Sequence, residues 1–139
     1  MFESVLANLS ILLIDDEPDN LEVMKELLLL MGARITTAVN GNDGLQKAIE
    51  REFDLIISDL SMPEMSGWEL LFRLRKHEET RAIPVIALTA HAMLGDRERA
   101  LDAGFDNYIS KPIDLMNLLT ELPEMLKEIP ALSDKLYSK

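Results

Sequence analysis

Short apolar runs recur along this chain, and each stops at a polar residue able to do chemistry. Ile11-Leu12-Leu13-Ile14 stops at Asp15-Asp16, and Leu55-Ile56-Ile57-Ser58 at Asp59. Val85-Ile86-Ala87-Leu88 stops at Thr89, and Tyr108-Ile109-Ser110 at Lys111-Pro112. Continuous rather than alternating apolar runs fit strands buried on both faces. Helix-like segments lie between them, and that alternation demands a parallel sheet with crossover helices on both sides. In such a sheet the carboxyl ends of the strands share one edge. The terminal polar residues therefore converge in the crevice where open α/β folds bind ligands.

Ser10–Ile14 predicts the first strand. Asp19–Met31 predicts a helix, with Leu21, Met24, Leu28 and Met31 on one stripe that Leu27 and Leu30 widen. Pro18 suits the first turn and Gly32 the stop. Ala33–Val39 carries Ile35, Thr36, Thr37 and Val39, a β-branched strand whose threonines suit a sheet edge. Asn40-Gly41-Asn42-Asp43-Gly44 reads as a turn that caps a helix over Leu45–Arg51. Then come a strand at Asp54–Ser58, a loop at Leu60–Gly67, and a helix at Trp68–Glu78 with Leu70, Leu71 and Leu74 inward. A strand follows at Ile83–Leu88, a helix at Asp96–Ala103 closed by Gly104, and a strand at Phe105–Ser110. Asp114 caps a last helix to about Lys127. The expected architecture is α/β and doubly wound, with five parallel strands and five helices. Residues 1–9 read as a lead-in, 10–127 as the domain and 128–139 as a C-terminal tail.

At 139 residues the chain has room for one ordinary domain. Its net charge of −11 argues against a nucleic-acid surface, which needs basic residues to displace counterions. The densest basic group, Arg73, Arg75, Lys76 and His77, reads as a solvated helix face. With no cysteine there is no disulfide, thiol nucleophile or thiolate metal site. No apolar run has the length of a membrane span, and the start of the chain lacks a signal peptide's positive region. A cytoplasmic location without membrane association is expected.

Asp15, Asp16 and Asp59 at one rim repel: at about 5 Å and an effective dielectric near 20, each ionised pair costs roughly 3 kcal/mol. A hard cation with oxygen ligands relieves this, and Mg²⁺ typically takes one or two carboxylates. A calcium loop starting at Asp15 fails, because Asn20 stands where that loop needs glycine. Lys111 is placed to pair with Asp59 or a phosphate, and Thr89 to donate to a phosphate oxygen.

These marks together resemble the receiver domains of two-component response regulators. The resemblance runs from about Ser10 to about Lys127. It rests on Asp15-Asp16, Asp59 followed by Met62-Pro63-Glu64-Met65-Ser66-Gly67, Thr89-Ala90 and Lys111-Pro112. Single-domain regulators and hybrid-kinase receivers are the nearest in flavour, through Ala87-Leu88-Thr89-Ala90-His91-Ala92-Met93. The resemblance implies a flavodoxin-like strand order, 2-1-3-4-5. It implies that Asp59 accepts a phosphoryl group from a histidine kinase or histidine phosphotransfer protein. Mg²⁺, for which Mn²⁺ could substitute, would be held by Asp16, Asp59 and the Ser61 carbonyl, with Asp15 acting through a metal-bound water. Lys111, Thr89 and the Ala90 backbone N–H would steady the phosphoryl oxygens, and the Lys111-Pro112 bond would be cis. Tyr108 would follow Thr89 inward. The fourth helix, fifth strand and fifth helix would then change their surface for a downstream protein or a homodimer. The phosphodonor surface would include Pro18, Asn20, Leu21 and the Pro112-Ile113 loop. Ser61 and His91 would tune hydrolysis, with His91 otherwise a solvent-exposed loop residue; Glu17 would reach a metal-bound water or serve as a first-turn acid, and Trp68 would report on the site or simply pack.

Three other readings compete. A haloacid-dehalogenase-like phosphatase places its nucleophile after the first strand in an Asp-x-Asp pattern, whereas Ser61 stands two residues after Asp59 here. A nucleotide or flavin module brings a Gly-rich loop where this chain has Asp15-Asp16-Glu17. A pseudo-receiver, acting only as an interaction domain, would not need the full residue set.

Overall fold

The computed structural model describes residues 6, 7, 9–90, 95–111 and 113–137. Its elements are β1 (Ser10–Ile14), α1 (Pro18–Leu30), β2 (Arg34–Ala38), α2 (Gly41–Glu50), β3 (Leu55–Asp59), α3 (Gly67–Lys76), β4 (Val85–Thr89), α4 (Asp96–Ala103), β5 (Asn107–Ser110), α5 (Leu115–Lys127) and α6 (Pro130–Tyr137). The five strands are all parallel, in the order β2-β1-β3-β4-β5. This is the doubly wound, flavodoxin-like sheet expected, with partly exposed β2 at one edge.

Alternate residues of each central strand face opposite layers. Ile11 and Leu13 of β1, Leu55 and Ile57 of β3, and Ile86 and Leu88 of β4 pack with Leu21, Met24 and Leu28 of α1 and Leu118, Leu122 and Leu126 of α5. Leu12 and Ile14, Ile56, and Val85 and Ala87 pack instead with Ala48 of α2, Leu70, Leu71 and Leu74 of α3, and Ala100 of α4. Burying each of these large aliphatic side chains contributes roughly 1.5–3 kcal/mol before chain entropy is set against it.

Two expectations need correction. Among the described residues there are six helices, not five: the sixth, α6, falls where a tail is expected. The stretch after Pro130 is too short to show a helical period. Yet Leu132 is buried with Leu126, Ile129, Leu6 and Leu9, closing the end of the α1/α5 layer. In addition, α2 begins at Gly41 rather than Leu45, with Asn40 accepting from the Asp43 N–H at 2.7 Å. Gly44 is not there to make a turn. A Cβ on it would lie 2.4 Å from Ile14 Cδ1, so its hydrogen lets α2 sit close on β1.

Candidate functional site

The carboxyl ends of β1, β3, β4 and β5 form the rim. Asp15 follows β1, and its N–H extends the ladder by donating to the Ala38 carbonyl at 3.2 Å. Its Oδ1 accepts from the Glu17 N–H at 3.0 Å, which bends the chain into α1. The other oxygen, Oδ2, lies 3.2 Å from Lys111 Nζ. Asp59 ends β3. Its Oδ2 lies 3.3 Å from the same Nζ, and its Oδ1 accepts from the Ser61 N–H at 3.4 Å. One ammonium thus bridges two carboxylates. Both are almost wholly buried, Asp15 at 2% and Asp59 at 6% exposure.

Asp16 completes a triad. Asp15, Asp16 and Asp59 each offer a ligand oxygen within 4.8 Å of the others. Asp16 Oδ1 is buried and has no hydrogen-bond partner among the described residues. Three carboxylates against one ammonium leave two negative charges, the complement of a divalent cation. The all-oxygen donor set and the orphaned Asp16 oxygen fit Mg²⁺.

Burial pushes the Asp59 carboxyl above its usual value; Lys111 pulls it back, and Asp15 pushes it up again. Burial pulls the Lys111 ammonium down, but Asp59 and Asp15 more than reverse this, and it stands above the usual lysine value. A carboxyl raised by folding contributes its stability below the unfolded pKa and loses it as pH rises through the folded one. Ionised Asp59 is therefore destabilising in the metal-free protein at neutral pH. Asp59→Asn is expected to raise the metal-free melting temperature at pH 7, with the gain shrinking as pH falls into the carboxylate range. Thermal melts across pH check this; a melting temperature lowered at pH 7 contradicts it.

Thr89 ends β4 and is buried. Its hydroxyl donates to Asp96 Oδ2 at 2.7 Å, and its carbonyl accepts from the Lys111 N–H at 2.8 Å. Asp96, buried at the start of α4, also pairs with Arg99. Tyr108 lies half-buried on β5, and the Arg97 guanidinium sits 5.5 Å over its ring. Ala90 is exposed beside Thr89, and Ser61 is exposed beside the triad. Trp68 packs edge-to-face on Phe105 at 5.6 Å. Glu17 is exposed at the N-cap of α1 and makes no side-chain cap bond. His91 and Pro112, with its expected cis bond, lie outside the described residues.

Sequence reasoning missed two contributors. Asp96 reads only as a helix start, because nothing local announces its bond back to Thr89. Gly67 reads as a loop end, but a Cβ there would lie 2.3 Å from the Asp59 carbonyl oxygen.

The model of the response regulator receiver domain matches residues 11–123, and the chain belongs to that family. The polar-differentiation response regulator DivK of Brucella anthropi is 37% identical over 117 residues, covering 84% of this chain and 95% of DivK. The signal transduction histidine-protein kinase BarA of Escherichia coli K12 is 40% identical over 123 residues, covering 84% of this chain but 13% of BarA. The receiver domain of a sensor histidine kinase from Pseudomonas aeruginosa PAO1 is similar in structure, with a TM-score of 0.76 and 34% identity. The match covers 86% of this chain and 98% of that one, and that crystal structure has a magnesium ion coordinated in its active site cleft. This chain is thus a receiver domain of two-component phosphorelay signalling, and these matches do not favour the phosphatase or the pseudo-receiver. Among the described residues no helix is long and apolar enough to cross a membrane.

Proposed function

We propose that Asp59 is the phosphoacceptor. One Asp59 carboxylate oxygen attacks the phosphorus of a phosphohistidine on a histidine kinase or histidine phosphotransfer protein. A P–O bond forms, the P–N bond breaks, and its electron pair returns to the imidazole; Asp59 then carries an acyl phosphate. The observation behind this reading is the double engagement of Lys111, within 3.3 Å of both Asp15 and Asp59, beside the orphaned Asp16 oxygen.

Phosphoryl transfer is largely positioning plus stabilisation of charge on the equatorial oxygens. Lys111 holds Asp59 in place beforehand and follows the charge onto the phosphoryl oxygens. Thr89 and the Ala90 N–H supply further donors. Asp16, Asp59 and the Ser61 carbonyl would hold Mg²⁺ or Mn²⁺ directly, and Asp15 at one remove. The cation, when bound, supplies the positive charge that the rim lacks. The same groups would assist both gain of the phosphoryl group and its hydrolysis. Thr89 and Tyr108 then bias the surface of α4, β5 and α5 toward a downstream protein or a second copy of this chain, in the cytoplasm.

Intact mass after incubation with acetyl phosphate tests this. A gain of one phosphoryl group is expected with Mg²⁺, lost in Asp59→Asn and lost on chelation. No gain with metal, or a gain that survives Asp59→Asn, overturns the assignment.

A further inference from the structure

Thr89 has one hydroxyl proton to donate. It goes to Asp96 Oδ2 at 2.7 Å, the length of a charge-assisted O–H···O⁻ bond. The Thr89 backbone is meanwhile tied to Lys111 through its carbonyl. Asp96 is buried, with its Oδ1 toward Arg99 and its Oδ2 toward Thr89. The adjacent residue, Arg97, lies over the ring of Tyr108. Consecutive residues of the first α4 turn thus engage Thr89 and Tyr108.

We propose that Asp96 is a positioning residue: its carboxylate competes with the phosphoryl group on Asp59 for the single hydroxyl proton of Thr89. This rests on the assignment of Asp59 as phosphoacceptor. In the resting protein Asp96 keeps the hydroxyl turned to α4. A phosphoryl group, with more negative charge and more acceptor oxygens, takes the proton when present. Asp96 then loses its bond from Thr89 while keeping Arg99, and the tie between β4 and the start of α4 is released together with the hold on Tyr108. Phosphorylation is thereby reported to α4 by an exchange of hydrogen-bond partners. The same exchange lowers the affinity of the resting protein for the phosphorylated arrangement.

Calorimetric titration of the full chain with beryllofluoride and Mg²⁺ tests this, because beryllofluoride mimics the phosphoryl group on an aspartate. Asp96→Ala is expected to bind about tenfold tighter than wild type, the factor released when a charge-assisted competitor is removed. Asp96→Asn keeps an acceptor without its charge and should fall between the two. In a Thr89→Ala background, Asp96→Ala should change nothing, because the proton under competition is gone. Thermal melts establish which variants are folded, and Asp96→Asn decides the matter if Asp96→Ala is not. Unchanged or weaker binding in the folded Asp96 variants overturns the inference. So does an equal gain in the Thr89→Ala background, which would mark a merely structural role. If wild type itself fails to bind beryllofluoride with Mg²⁺, the phosphoacceptor assignment falls and takes the inference with it. Binding by wild type with no difference in Asp96→Ala removes the inference alone.

Discussion

Lys111→Met is expected to slow phosphoryl acceptance at Asp59 by roughly a hundredfold to a thousandfold, the usual loss when one preorganised donor is removed from a developing charge. Methionine keeps the length and apolar stem of lysine and removes only the ammonium. In the resting site that ammonium lies 3.2 Å from Asp15 and 3.3 Å from Asp59. Without it the two buried carboxylates face each other uncompensated, and the Asp59 carboxyl, already raised by burial, rises further. The nucleophile loses the cation that holds it in place, and the phosphoryl oxygens lack their cationic partner during transfer. Metal binding moves the other way. Loss of the ammonium leaves three negative charges at the rim instead of two, so Mg²⁺ should bind at least as tightly as in wild type. Lys111→Arg should not restore the rate, because a planar fork does not occupy the place of a compact point charge. Rates from intact mass with acetyl phosphate, alongside calorimetric Mg²⁺ affinity, check both halves. A Lys111→Met protein that accepts phosphate at the wild-type rate removes Lys111 from the site's chemistry.

Much of this rim is legible in the sequence, for a physical reason. A strand buried on both faces must be apolar throughout, so Leu55-Ile56-Ile57-Ser58 and Val85-Ile86-Ala87-Leu88 announce both their path and their ends. Parallel order then fixes which ends meet. Contacts decided by tertiary approach do not show. Asn40 to Gly44 has the composition of a turn, and only the 2.4 Å approach to Ile14 explains glycine inside a helix. The segment from Pro130 looks like a tail until Ile129 and Leu132 are seen filling the layer beneath α5. Lys111 is legible as a partner of Asp59 or a phosphate, but its equal engagement of Asp15 depends on how β1 and β5 lie across the crevice. Thr89 reads as a donor to a phosphate oxygen, and its bond to Asp96 is not foreshadowed in the residues around it. The Asp96 carboxylate that holds it belongs to the next element, α4, and such a contact is decided by how α4 packs on β4.

Gly67→Ala is expected to destabilise the fold by about 2–3 kcal/mol, in the upper range for overpacking, and to weaken Mg²⁺ binding as well. The added Cβ would lie 2.3 Å from the Asp59 carbonyl oxygen and 2.9 Å from the Leu60 Cα. Both obstacles are backbone, so no rotamer change relieves them. The loop also has little freedom to withdraw, because the Gly67 N–H donates to the Leu60 carbonyl at 2.9 Å and Ser66 caps α3 through the Glu69 N–H. Whatever shifts will move Asp59 or the start of α3, and Asp59 is one of the three carboxylates at the rim. Gly44→Ala is the matched control. Its Cβ would meet Ile14 at 2.4 Å, but the obstacle is the far end of a side chain. An alanine inside a helix gains roughly 1 kcal/mol over glycine, which offsets part of that strain. Gly44→Ala should therefore cost less than Gly67→Ala and leave Mg²⁺ affinity unchanged. Urea unfolding midpoints and calorimetric Mg²⁺ titrations of both variants separate the cases. If the two lose equal stability and neither loses metal affinity, the close approach at Gly67 does not hold Asp59 in register.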